Sequence, residues 1–201
     1  MHAVEMPEHL QDMLEDIRCE IFDKQEEQGF LTDFDIEEIW SKKKQSNEKT
    51  RLHRIWSSDM LGFPIDEAED SRRSFVKKRL KVLSILVRIS WKSWNTFWTM
   101  DAADDKLPLC EANLEFMKNP YRSDFREQQW WFVPPIIREV QKIRKQPPRT
   151  RLPFIKHATK SIGHGMSGDV FRENIAIGHY CNSSGIPNTV STCCLRFLMW
   201  H

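Results

Sequence analysis

Over its first hundred residues the chain alternates between apolar stripes of helical period and short polar breaks. Leu10, Met13, Leu14, Ile17, Ile21 and Phe22 recur at the three- and four-residue spacing of one helix face, on an otherwise acidic segment. This pattern predicts an amphipathic helix that stops at Gly29, where a glycine can take the left-handed conformation that closes helices. Thr32-Asp-Phe-Asp35 has the spacing of a capping box, with Asp in place of Glu, and Phe30 or Leu31 stands where a staple to Ile36 forms. A second helix is expected over about 33–44, burying Phe34, Ile36, Ile39 and Trp40.

Residues 45–65 read as irregular or weakly helical, anchored by Leu52, Ile55, Trp56, Met60 and Leu61 and broken at Gly62-Phe-Pro64. The strongest helical pattern runs from Asp66 to about Thr99, through Phe75, Val76, Leu80, Leu83, Leu86 and Val87, acidic at its start and basic after it as the helix dipole favours. Trp91, Trp94 and Trp98 would share one face of it, with Phe116, Phe125, Trp130, Trp131 and Phe132 as packing partners. Residues 101–108 have the composition of a linker. Trp130-Trp-Phe-Val-Pro-Pro135 ends an element, 136–145 is a short basic stretch, and prolines hold 146–153 extended. The expected architecture is mainly α, with a helical module over 1–145, a Pro-rich linker over 146–153, a β-hairpin within 154–180 and a tail of different composition over 181–201.

Composition narrows the class. Apolar residues make up 40% and charged residues 29%, the balance of a folded globular chain. No apolar leader opens it, and the most apolar stretch, 82–100, is interrupted by Arg88 and Lys92, so no membrane span is expected. An intracellular address, cytoplasmic or nuclear, follows, and the five scattered cysteines read as reduced thiols.

Thirty Lys and Arg nearly balance twenty-nine Asp and Glu, but unevenly: residues 1–40 hold thirteen acidic against two basic side chains, and 41–100 hold six against fourteen. Opposite faces pairing within one helical unit explain this best. Lys42-Lys-Lys44 and Lys77-Lys-Arg79 belong to no nucleic-acid-binding motif, so nucleic acid is not the expected partner. The carboxylates scatter along solvent faces, the seven histidines lack ligand spacing, and no nucleophile–base set assembles, so neither a metal site nor catalytic residues are assigned.

The segment Ile162-Gly-His-Gly-Met-Ser-Gly-Asp-Val170 fits G-x-G-x-x-G-x-V at every fixed position. Gly163, Gly165 and Gly168 leave no Cβ between the main chain and a ligand, which lets backbone N–H groups approach phosphate oxygens. A dinucleotide-binding loop would open a helix and be followed by an acidic residue about twenty positions on. Here the alternating run from Val170 to Ile177 reads as a strand leaving a hairpin, and no acidic residue follows Glu173.

With Gln129-Trp-Trp-Phe-Val-Pro-Pro135 and Leu152-Pro-Phe154 upstream, the chain resembles fungal serine/threonine protein kinase-like proteins. The resemblance implies a protein kinase small lobe beginning near residue 154. It implies an ATP site in which Ile162 and Val170 flank adenine while Gly163, His164, Gly165, Met166, Ser167 and Gly168 cover the phosphates. The family's remaining signatures are not in this sequence. No lysine occurs after Lys160 to serve as the V-A-x-K lysine, and H-R-D, D-F-G and A-P-E are missing downstream.

The expectation is therefore a kinase-like chain cut short after its glycine loop and incompetent for phosphoryl transfer. The other reading is a helical module that binds a partner protein without any enzymatic activity.

Overall fold

The computed structural model describes residues 6–138, 149–155, 160–165, 168–176, 179–181 and 192–193, and the fold is mainly helical. Helix α1 (Glu8–Gln28) buries Leu10, Met13, Leu14, Ile17, Ile21 and Gln25, while Phe22 lies on the rim under the Arg88 guanidinium. It stops at Gly29, whose φ of 83° and N–H bond to the Gln25 carbonyl close the last turn.

Helix α2 (Asp33–Ser41) starts on the expected box. The Asp35 N–H donates to Thr32 Oγ1 at 3.1 Å, and the Thr32 N–H donates back to Asp35 Oδ2 at 2.9 Å. Gln28 Nε2 and Lys24 Nζ converge on the same carboxylate. Burial pushes the Asp35 carboxyl up, but the hydrogen bonds from Thr32, Gln28 and Lys24 outweigh it and hold the group below its ordinary value. Phe34 does not join the core. It is 74% exposed, on the face opposite the buried Ile36, Ile39 and Trp40, and the helix ends three residues earlier than expected.

Residues 45–65 contain α3 (Arg51–Trp56), capped by Thr50, and a short helical turn at Asp59–Leu61 that ends on Gly62. Gly62 has φ +72°, and a Cβ there would sit 1.9 Å from the Asn95 carbonyl oxygen.

The single long helix expected over 66–99 is three pieces: α4 (Glu69–Lys77), α5 (Leu80–Arg88) and a helical turn at Trp94–Thr99. The first break lies at Lys78 and Arg79. Arg79 leaves the helical conformation and lays its guanidinium over the Phe75 ring at 3.7 Å. The second break is a Schellman closure. Ser90 takes φ +54°, its N–H bonds to the Val87 carbonyl, and the Trp91 N–H reaches back to the Leu86 carbonyl, both at 3.0 Å. The three tryptophans therefore do not share a helix face. Trp91 and Trp94 meet edge to face at 5.6 Å, and Trp98 stacks against Phe75 and Phe63. Of the expected partners, Phe125 and Phe132 are fully buried in the core and Phe116 is partly exposed, at 40%.

Helix α5 is the centre of the packing, with Val82 through Val87 buried without interruption. Helices α1, α2, α4 and α6 (Tyr121–Gln128) all contact it. Trp40 Nε1 donates to Ser84 Oγ at 2.8 Å, and Ser84 Oγ donates to the Leu80 carbonyl. Arg88 Nε donates to Gln25 Oε1 on α1.

Residues 101–108 are a packed strap and not a free linker. Ala102 and Leu109 are buried, Asp104 caps α5, and the buried Gln129 amide bonds to both the N–H and the carbonyl of Leu109.

The uneven charge is resolved by pairing between elements. Lys42 and Arg51 both reach Glu20, each at 2.9 Å, and Lys81 pairs with Asp33. Among the described residues no helix is long and apolar enough to cross a membrane.

Short strands follow the helices. β1 (Ile137–Arg138) pairs in parallel with β4 (Tyr180–Cys181). β2 (Lys160–Gly165), β3 (Gly168–Asn174) and β5 (Thr192–Cys193) form an antiparallel sheet in chain order. Within the region expected to be a tail, β5 pairs with Glu173 and Asn174. Cys181 of that region closes β4, and its remaining residues lie outside the described part.

Two positive-φ positions make opposite demands. Gly62→Ala forces a Cβ into the Asn95 backbone and should cost about 3 kcal/mol or more, whereas Ser90→Gly relieves a left-handed non-glycine residue and should gain about 1 kcal/mol. Urea midpoints of the two variants check both signs. Asp35→Ala should lose about 1–2 kcal/mol at neutral pH. The native-state pKa of Asp35 is depressed, so its contribution is present above the ordinary value of 3.8 and is lost as pH falls through the folded value. The difference between wild type and Asp35→Ala in denaturant titrations should therefore narrow only below about pH 4.

Candidate functional site

The glycine segment folds as two antiparallel strands. Lys160 lies opposite Arg172 and Ser161 opposite Phe171, and the register then shifts so that Gly163 faces Val170, His164 faces Asp169 and Gly165 faces Gly168. Ile162 is the extra residue at this irregularity, and such a bulge bends a strand and increases its twist. Of the eight positions expected to contact nucleotide, Ile162, Gly163, His164 and Gly165 thus lie on β2, and Gly168 and Val170 on β3. Met166 and Ser167 lie outside the described residues. So do the side chains of Ile162 and Val170, on which an adenine sandwich would depend.

Both stems of this hairpin return to the region just after the helices. The Ile155 N–H donates to the Asn174 carbonyl and the Ala176 N–H to the Pro153 carbonyl, each at 2.9 Å, around a bridge between Phe154 and Ile175. Ile175 and Ala176 are buried. The Ile137 N–H donates to the His179 carbonyl at 2.7 Å, and the His179 ring lies 3.3 Å from the Pro135 carbonyl. Burial pushes the His179 imidazole below its ordinary value. Upstream, Arg149 pairs with Glu127 at 2.6 Å, and the Arg151 guanidinium stacks 4.2 Å above Trp131. The expected linker 146–153 therefore ends in contacts with the helical module, and its first residues lie outside the described part.

A second feature had no signal in the sequence. An open groove of about 1040 Å³ runs between the first turns of α1, the turn after α3 and the turn after α5. Leu10, Leu14 and Met60 are apolar residues of its wall, and the Trp91–Trp94 pair belongs to the same lining. Arg54, Lys92 and Asp12 also line it. Arg54 spends one guanidinium nitrogen on the His9 carbonyl at 3.1 Å. These residues come from three separate stretches, so only the break of the expected long helix at Ser90 brings them together. A smaller cavity of about 310 Å³ lies between α2, α5 and the strap, edged by Asp33, Glu37, Asp104, Asp105, Lys77 and Lys81.

Chemically, the first groove suits a mixed apolar and charged surface. Among the described residues no three His, Cys, Asp or Glu side chains gather as a metal site. No family model matches the chain, and no curated protein or solved structure matches it.

Proposed function

We propose that this chain is a protein kinase-like protein whose helical module binds a partner protein, and whose glycine hairpin gives at most feeble hold on ATP without phosphoryl transfer. The kinase-like part of the reading rests on the fit of Ile162 through Val170 to the glycine-loop pattern. Phosphoryl transfer needs a lysine on the α- and β-phosphates, a base and metal-holding carboxylates, and the signatures that carry them are missing from this sequence after the loop.

The observation that carries the interaction reading is the groove of about 1040 Å³ beside the Trp91–Trp94 pair. It joins Met60 and two tryptophans to Arg54, residue types that protein interfaces favour, with the charged Lys92 and Asp12 in the same lining. Other charges in the module are drawn into holding helices together, as at Glu20, where burial opposes ionisation but Arg51 and Lys42 overcome it.

Two measurements separate the parts of this reading. Titration of the full chain with Mg-ATP, followed at the Gly163, Gly165 and Gly168 amides, should give small shifts in the millimolar range and no transfer to acceptor proteins. Micromolar affinity with measurable transfer would sink the non-catalytic reading. For the module, Arg54→Glu with Lys92→Glu should weaken binding of captured partners about tenfold or more. A substitution on the far face of α2, Phe34→Ser, should leave it unchanged. Equal capture by both variants would remove the groove as the interaction site.

A further inference from the structure

We propose that the strap over 101–107 is fastened to the N-terminus of α5 by a proton-sensitive clasp, with Asp104 as its holding group. The geometry is a helix cap supplied from a distance. Asp104 Oδ2 accepts from the Lys81 N–H and Oδ1 from the Val82 N–H, each at 3.0 Å, and the Asp104 N–H donates to the Lys78 carbonyl at 3.0 Å. These three bonds tie the strap to the break between α4 and α5. The residues that immediately precede α5 give it no side-chain cap, so its first amides depend on this carboxylate.

The surroundings make that carboxylate reluctant to ionise. It lines the 310 Å³ cavity with Asp33 and Glu37 of α2, Asp105 of the strap, Lys77 of α4 and Lys81 of α5. Asp33 is engaged by Lys81, Arg79 faces Asp101, Asp104 and Asp105, and Asp101 is taken up by Lys106. The His179 imidazole, from the strand region, is within the electrostatic reach of Asp33, Lys81 and Asp35. Burial raises the Asp104 carboxyl to about 6, and the two backbone amides and Lys81 offset this only in part. When protonated, Asp104 keeps its carbonyl oxygen for one α5 amide and gains a hydroxyl donor in a cavity that three other carboxyl groups line.

The sign follows from linkage. With the strap closed Asp104 holds its proton up to about pH 6, and released it returns to the ordinary 3.8. The closed form binds the proton more tightly, so closure strengthens as pH falls from above 6 towards 4 and is weakest at neutral pH and above. A difference of about two pH units corresponds to roughly 100-fold in the ratio of closed to open strap.

Carbon-detected titration of the side-chain carboxyls in the full chain should place the Asp104 midpoint near 6 and show it moving down in Asp33→Asn. Amide exchange at Lys81 and Val82, corrected for its intrinsic pH dependence, should slow by up to about 100-fold between pH 7 and pH 4. Asp104→Asn should flatten that profile. A wild-type Asp104 midpoint at 4 or below, or an unchanged exchange profile in Asp104→Asn, would overturn the proposal. If that variant does not fold, the titration of the unaltered chain decides the matter alone.

Discussion

A helix whose middle is buried around its whole circumference must find partners for its polar groups within the protein, and this constraint on α5 organises the rest of the fold. Val82 through Val87 are covered on every side, so the polar groups of the helix must find partners within the protein. Asp104 supplies the N-terminal acceptors, the Schellman closure at Ser90 satisfies carbonyls at the other end, Trp40 meets Ser84 in the middle, and Gln25 accepts from Arg88. Each partner comes from a different element. The same contacts that complete α5 therefore fix the strap, α1 and α2 in place around it. The closure has a visible cost: Ser90 is held at a φ that ordinary side chains resist.

What was legible in the sequence follows from how local each signal is. The end of α1 at Gly29 and the box at Thr32 and Asp35 are set by residues within one turn of the feature they control, and both can be read from spacing. The split between α4 and α5 cannot. Its cap lies more than twenty residues downstream, in a run of Asp, Ala and Lys whose composition reads as a linker. Its other end is closed by a serine, where a glycine would have given the stop away. Helical periodicity also survives a break. The apolar positions of 75–87 belong to one core whether the helix is continuous or not, so the pattern predicts burial correctly and continuity wrongly. Phe34 fails for the opposite reason: its neighbours Ile36, Ile39 and Trp40 alone satisfy the α2 stripe.

The candidate sites divide along the same line. The glycine pattern is a run of adjacent residues, so its spacing could be read from the sequence, and the two strands with Ile162 at the register shift are its backbone expression. The groove beside Trp91 and Trp94 is assembled from three stretches brought together by the turn at Ser90, and no spacing in the sequence encodes it. Its assembly depends on the tertiary arrangement around α5, the same arrangement that joins the cap to the helix.

The distribution of charge limits where an interaction surface can lie. Taken along the chain, the acidic first forty residues and the basic sixty after them look like two surfaces awaiting partners. In the fold they meet each other: Glu20 takes Lys42 and Arg51, Asp33 takes Lys81, and Asp35 takes Lys24. Pairs with one half-buried member restrain the helices more than exposed pairs do, because solvent screens them less. A charge engaged in this way is a poor anchor for a partner, since docking would have to break the intramolecular pair first. The groove differs in kind. Lys92 follows a turn fixed by backbone bonds, and Arg54 bonds the His9 carbonyl, so among the described residues neither must abandon a carboxylate to meet an incoming acidic group. That is why the interaction reading rests on the groove between α1, α3 and α5 and not on the charge runs that first draw attention in the sequence.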